Sequence, residues 1–327
     1  MPNKPKMTSS ELGALWMTYQ KKTLILRYLE YFIETAENEK ARNLMSELWE
    51  ALHPKVREMR MIIQAEGTAA PNGFTHEDVY LDAPRLYENG FDIMFCRVLK
   101  KLSLSMYALH ITVSYREDII KLYMDIIQIS QTYYNHFTQY LLEEGLLPRP
   151  NYISMPKSID YITDKNYTKG TDFFGNKRAL NTVEFSYLYQ SIEVNITGMQ
   201  LMAGFAQCAK NKKVQKYFTK GKELSKEILN ETGEILLRDD IQSPATSGGT
   251  VTSSTTAPFS DKLMMMTTFF FCNVSLGSQS FGANFSMRND LNASLGIKVK
   301  DIYQYAREGL TIMLNNGWME EPPKMDV

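Results

Sequence analysis

At 327 residues, the chain is long enough for two ordinary domains, each with its own hydrophobic core. Lys and Arg number 36 against 37 Asp and Glu, and the net charge of −1 gives no electrostatic footprint for nucleic acid or an anionic membrane surface. Cys96, Cys208 and Cys272 are unpaired in spacing and set among apolar residues. They read as reduced core residues of an intracellular protein, which excludes a disulfide framework or a metal knuckle.

The opening MPNKPKMTSS has no apolar stretch of the kind a secretory signal needs. Thr8-Ser9-Ser10-Glu11 is a capping box, and the apolar stripe Leu12, Leu15, Trp16, Tyr19, Thr23, Leu26, Leu29, Ile33 follows it at helical spacing. Asn38 caps a second helix with the stripe Ala41, Met45, Leu48, Leu52, Val56, Met59, Ile63. Pro54 is expected to kink it and Gly67 to end it. Asp82-Ala83-Pro84 reads as the N-cap and first turn of a third helix, which runs through Phe91, Phe95, Val98, Leu102 and Met106 to about Ser114. A fourth carries Ile119, Tyr123, Ile126, Ile129, Tyr133, Phe137 and Tyr140 and stops at Gly145, before Pro148.

The pattern then repeats. Asn181-Thr182-Val183-Glu184 stands where Thr8–Glu11 stood, an offset of 173 (181 − 8), and Asn211 falls on Asn38 at the same offset. Ser286-Met287-Arg288-Asn289-Asp290 falls on Ser114–Asp118, and Gly317 on Gly145, at 172 (317 − 145). A register held to one residue across caps, turns and helix ends marks a tandem duplication of one four-helix unit. The chain divides into a first bundle at 1–147, a linker at 148–179 and a second bundle at 180–327. The linker holds Pro148, Pro150, Pro156 and aromatics including Tyr152, Tyr161, Tyr167, Phe173 and Phe174, and is expected to lie against the bundles. The basic run Lys210-Asn211-Lys212-Lys213 reads as a solvated helix start.

Leu263–Met287 contains no Asp, Glu, Lys, Arg or His. A segment apolar or small on every side is buried on every side, in a bilayer or in protein. Its counterpart Phe91–Tyr115 carries Asp92, Arg97, Lys100, Lys101 and His110, which a bilayer would not accept. Two copies of one fold sit in one solvent, so no membrane span is expected. The segment reads instead as a central helix, with Gly277, Ser280, Gly282 and Ser286 letting a neighbouring backbone approach where the bundles meet. Gln242–Pro258, rich in Gly, Ser and Thr, reads as flexible and exposed. At about 3.3 Å per residue, it and its counterpart Ala69–Pro84 are each long enough to run the length of a bundle. That is the crossover connection of ferritin-like folds.

In such a bundle the chemistry to look for is a di-metal centre, with a Glu on each of two helices and Glu-x-x-His on the other two. One such element is present, Glu50-Ala51-Leu52-His53, with Glu50 turned away from the Leu48/Leu52 stripe. Its repeat mate is Glu223-Leu224-Ser225-Lys226, whose Lys would repel a metal. Glu30, Glu50, His53, Asp92 and His136 are the most that can be assembled in the first copy; Ala203, Met264 and Glu308 stand at the second copy's positions for Glu30, Asp92 and His136. These read as surface charges, with an iron or manganese site as the alternative. His76, His110 and His136 read as satisfied or exposed histidines. The repeated Ser-x-Arg-x-Asp at Ser114 and Ser286 reads as capping, with Ser and Asp on the fourth helix and Arg tying down the turn. No phosphate loop, nucleophile elbow or Cys-His pair is recognisable, so no catalytic or cofactor-binding residue is expected.

Ser9-Ser10-Glu11-Leu12-Gly13-Ala14-Leu15-Trp16, Phe271-Cys272-Asn273-Val274 and Ser286-Met287-Arg288-Asn289-Asp290, with the two-copy layout, resemble the tandem ferritin-like proteins of endospore-forming Bacilli in domain-of-unknown-function family 3231, distant relatives of a spore coat protein family. The resemblance implies two ferritin-like bundles and a spore or sporulation association, and carries no catalytic residues. The expectation is an all-α, non-catalytic structural or interaction protein with protein partners or self-association, in the cytoplasm, forespore or spore coat. A di-metal oxidase or iron-handling protein and a binder of a small apolar ligand, with a cavity near the third helix of the second copy, are the alternatives.

Overall fold

The computed structural model describes residues 5–169, 178–244 and 249–325. Among the described residues there are eight α-helices: α1 Ser9–Thr35, α2 Glu39–Gln64, α3 Phe91–Thr112, α4 Glu117–Glu143, α5 Thr182–Cys208, α6 Lys212–Arg238, α7 Asp261–Phe285 and α8 Asn289–Asn315. Strand among the described residues is confined to two residues in each crossover, β1 Tyr87–Glu88 and β2 Thr250–Val251.

Local signals set most boundaries. Both capping boxes form, Thr8 with Glu11 and Asn181 with Glu184, and Asn38 and Asn211 cap α2 and α6. Gly145 and Gly317 take left-handed backbone, φ 68° and 66°, just past α4 and α8. α2 runs unbroken through Pro54, which sits with Glu50 on the exposed face. There the amide that proline lacks costs no buried hydrogen bond.

Pairings at the helix ends fix the connectivity. Glu11, in the first turn of α1, accepts from the backbone N–H groups of Tyr115 and Arg116 after α3, so α1 and α3 are antiparallel. Arg116, before α4, pairs with Glu66 after α2, so α2 and α4 are antiparallel. α2 and α3 therefore run the same way, and residues 65–90 cross the length of the bundle. The second copy repeats each pairing, through Glu184 with Met287 and Arg288, and Arg288 with Asp239. This is a duplicated four-helix bundle with one crossover per copy.

The crossovers hold the copies together. Tyr87 pairs with Val251 in the β1–β2 ribbon, and Val79 bridges to Phe259. The offset of 172 (259 − 87 and 251 − 79) exchanges these two pairs, as it exchanges Thr252 N–H donating to Leu86 C=O with Tyr80 N–H donating to Pro258 C=O. An exchange of this kind is the signature of an internal two-fold. One continuous apolar core spans both copies. Tyr28 packs on Phe259 at 4.3 Å, Phe95 stacks on Phe271 at 5.6 Å, and the Tyr28 hydroxyl bonds Thr267 at 2.8 Å.

Several expectations are corrected here. α3 does not open at Asp82-Ala83-Pro84. It starts at Phe91 behind Gly90 at φ 74°, because Tyr31 donates to the Pro84 carbonyl and accepts from Leu86 N–H, which holds the segment extended. The Gln242–Pro258 connection is not free from Gly249 onward, since it pairs with the first copy and buries Ala257 and Pro258. Residues 245–248 lie outside the described residues. The linker does not lie down along 149–166, which is exposed; among its described residues Pro148 is half-buried, the Tyr167 ring lies under Arg178 at 3.9 Å, and Arg178 pairs with the buried Glu184. Phe173 and Phe174 lie outside the described residues. Leu263–Cys272 is nearly all buried, but Asn273, Gly277, Phe281 and Phe285 are exposed. The helix buried along nearly its whole length is α1, which packs on both copies. Gly277 has nothing near it, and Gly282 packs on Leu295 and Tyr187 of its own bundle.

Candidate functional site: the two bundle centres

Leu15, Lys22 and Leu29 follow at intervals of seven along α1, and all three are fully buried. Such a spacing keeps a helix face turned inward, so Lys22 is carried into the bundle by the leucines on either side. Lys21 beside it is 1% exposed and Lys100 on α3 is 0% exposed. The Lys21 and Lys22 amines lie 5.6 and 4.7 Å from the centre of the Tyr107 ring, also on α3. None of the three amines has a hydrogen-bond partner among the described residues. A ring face offers an ammonium group only partial compensation for lost water.

The electrostatics follow from this packing. Burial, reinforced by Lys100, pushes Lys21 down to about 7. Lys22 is held well below the usual lysine range by burial and by both neighbouring lysines. Burial brings Lys100 to about 8, with the Cys96 thiol pulling the other way. His110 is the nearest imidazole, bonded through Nδ1 to the Thr18 hydroxyl at 2.9 Å and brought down to about 4 by burial and Lys21. Chemically the centre offers amines, a phenol ring and a thiol that burial pushes up.

The second copy shows what the same helices do without lysine. Val194, Asn195 and Cys272 stand where the first copy has Lys21, Lys22 and Lys100, and they line a cavity of about 60 Å³ together with Met202, Phe271 and Ile302. Burial pushes the Cys272 thiol up to about 12, so it is a packing group and not a nucleophile at neutral pH. The buried lysine of this copy, Lys298, is compensated. Its amine lies 3.2 Å from the Thr232 hydroxyl and 3.6 Å from Glu231.

The five residues of the expected metal alternative do not come together. Glu30 is tied to Arg27 and accepts from the Trp49 indole at 3.1 Å. His53 stacks on Trp49 at 4.5 Å, Glu50 is exposed, and exposed His136 meets the Tyr133 ring edge-on at 5.4 Å. Asp92 accepts from the Ile93 N–H at 2.8 Å near the start of α3, where burial raises its pKa. No three His, Cys, Asp or Glu side chains among the described residues are grouped to hold a metal ion. Ammonium groups at the bundle centre are the wrong donor chemistry for iron or manganese. At the second copy's positions, Met264 is buried and exposed Glu308 pairs with Lys220 at 2.5 Å.

The Ser-x-Arg-x-Asp element does not cap as expected. Ser114 and Ser286 donate back into α3 and α7, to His110 and Gly282 carbonyls. The position before α4 and α8 is the arginine itself, with no side-chain cap. Arg116 is held by Asp118 and Glu66, and Arg288 by Asp290 and Asp239. Their guanidinium groups are thus committed to carboxylates and form no anion site. The basic run at 210–213 is, as expected, an exposed helix start.

The lysine centre was missed in the sequence, although Lys22 falls in the Leu15–Leu29 register. Lysine stems usually carry their amines out to water, so position alone does not betray a buried one.

Comparison with curated proteins finds no match. Among solved structures, a chain from Bacillus halodurans described as a "putative spore coat protein" is similar, with a TM-score of 0.43 and 14% identity. The alignment covers 46% of this chain and 98% of that one. No helix among the described residues is long and apolar enough to cross a membrane. A family model with the description "Protein of unknown function (DUF3231)" matches residues 1–159 and again 168–327, and the chain belongs to that family, with two copies of its unit in tandem.

Proposed function

We propose that this is a non-catalytic structural protein that self-associates through an apolar patch present once in each copy. The observation that carries this reading is a matched set of exposed side chains. Leu109, Val113 and Tyr115 are 70%, 38% and 73% exposed, and their counterparts Phe281, Phe285 and Met287 are 61%, 56% and 48% exposed. The counterparts are secured by identical backbone contacts, Tyr115 and Met287 each donating to the buried glutamate of their copy. In the second copy the patch is continuous, with Phe285 stacked on Tyr187 at 6.0 Å and on Phe281 at 6.2 Å. The bundle centres have diverged from one copy to the other, while these exposed positions have stayed apolar. Exposed apolar side chains placed together mark association surfaces. Two like patches on one chain let a second copy of the chain dock patch to patch.

The test is the mass of the full-length protein in solution, by sedimentation or light scattering, against concentration. Wild-type protein is expected to associate, and Leu109→Glu combined with Phe281→Glu to remain monomeric and folded. A wild type monomeric at all concentrations overturns self-association. The finer placement, a ferritin-like protein of a spore-forming cell located in the cytoplasm, forespore or spore coat, follows from the family resemblance. A fluorescent fusion followed through sporulation tests it, and a signal unrelated to the spore would end it.

A second reading is favoured by the cavity beside α7, at the level foreseen for a small apolar ligand. Its apolar lining suits a fragment of a few heavy atoms. Native mass spectrometry of freshly purified protein tests it, and Cys272→Leu, which fills the space, is expected to abolish any bound mass.

A further inference from the structure

We infer that the centre of the first bundle is a binding site for a small inorganic anion, held among the amines of Lys21, Lys22 and Lys100. Three fully buried amines, those of Lys21 and Lys22 over the Tyr107 ring and that of Lys100 close enough to act on both electrostatically, have no hydrogen-bond partner among the described residues and form an uncompensated positive centre. Such a centre either sheds its protons or takes up negative charge.

The chain supplies its own control on whether the fold demands these residues. The second copy builds the same bundle with Val194, Asn195 and Cys272 at the three positions, and it pairs its own buried lysine with Glu231 and Thr232. The fold therefore does not require lysine at these positions. In the second copy, where the three side chains are smaller, a pocket of about 60 Å³ opens at this level. In the first copy the lysine stems fill that level, and a small ion would take the space they free by swinging aside. The groups around the site are the Tyr107 phenol, the Cys96 thiol and His110, and His110 is neutral near pH 7. None contributes negative charge there, since burial holds the phenol and the thiol protonated.

The experiment is thermal unfolding of the full chain near neutral pH, with chloride, nitrate or phosphate replacing gluconate at constant ionic strength. Wild-type protein is expected to melt higher as one of these anions rises. The folding constant should gain about a hundredfold when the anion reaches 100 times its Kd. Lys22→Met and Lys100→Met are expected to lose that dependence, and Lys298→Met, which alters the compensated lysine, to keep it. A wild-type midpoint indifferent to all three anions overturns the site, as does an equal dependence in the Lys22 and Lys100 variants. Should those variants fail to fold, bromide-soaked crystals decide. An anomalous peak within hydrogen-bond distance of the lysine amines upholds the site, and bromide found only elsewhere overturns it.

Discussion

Glu11 fastens the start of α1 to the turn between α3 and α4, and Glu11→Ala is expected to cost roughly 3–5 kcal/mol. Its side chain is fully buried. One carboxylate oxygen accepts from the Tyr115 and Arg116 N–H groups at 2.8 and 2.7 Å, and the other accepts from the Thr8 N–H and hydroxyl, both at 2.8 Å. Truncation leaves the buried Arg116 amide without an acceptor, a loss of about 1–3 kcal/mol by itself, and removes three further charge-assisted bonds whose effects are not additive. Glu11→Gln keeps one oxygen for the two amides but sets an NH₂ group against the Thr8 N–H, so its expected cost is smaller, about 1–2 kcal/mol. Urea unfolding followed by circular dichroism measures both. The pH dependence gives a second reading. Burial alone would raise the Glu11 pKa, but the bonds from Thr8, Tyr115 and Arg116 outweigh it and hold it below 4.5. The folded state thus binds the proton more weakly than the unfolded chain. The contribution is complete above about pH 4.5 and drains away as pH falls through the lower folded value. An alanine variant within about 1 kcal/mol of wild type, or one that loses stability in acid as steeply as wild type, would refute the clamp.

Three further outcomes are expected. Gly221→Ala puts a Cβ 2.1 Å from the Tyr305 hydroxyl. It should break the Tyr217–Tyr305 stack, whose rings lie 4.2 Å apart, at a cost of about 1–3 kcal/mol in urea unfolding, and an unchanged midpoint would count against the stack. In anion-poor buffer, stability should climb as pH rises from about 7 to 9.5, because Lys21 and Lys100 carry fewer protons folded than unfolded in that window. Lys100→Met should flatten part of the climb in pH-dependent melts, and a wild-type profile that falls across the window would contradict it. The thiols of Cys96, Cys208 and Cys272 are buried, and burial raises each pKa. Labelling by a thiol reagent should therefore be slow in the native protein and prompt in denaturant.

What could be read from the sequence was whatever short-range chemistry decides. Capping residues such as Thr8, Asn38, Asn181 and Asn211 act within three residues of themselves, and Gly145 and Gly317 end their helices by backbone geometry alone. The duplication was legible for the same reason, since it was recognised from those punctuation marks. Failures came where a distant partner overrode a local signal. Asp82-Ala83-Pro84 carries the marks of a helix start, yet the Tyr31 hydroxyl, more than fifty residues away, holds that stretch extended. The charge-free Leu263–Met287 suggested a helix enclosed on all sides, but one face of its second half, at Asn273, Gly277, Phe281 and Phe285, is exposed. The helix enclosed along most of its length is α1, lysines included.

Those lysines separate what the fold requires from what has been laid upon it. Were three buried amines a condition of closing this bundle, the second copy would need them or an equivalent, and it closes with valine, asparagine and cysteine at those positions. Were they harmless substitutions, they would follow the pattern of Lys298, which found a carboxylate 3.6 Å away. Lys21, Lys22 and Lys100 do neither. They sit in the continuous core that both copies share, where an unpaired charge is most costly, and methionine at the same place would fill similar space without that cost. The matched exposed patches follow the opposite course: polar residues there would have favoured solubility, yet both copies keep apolar ones. In each place the residue type departs from what stability or solubility alone would select, and such departures are where function is to be sought.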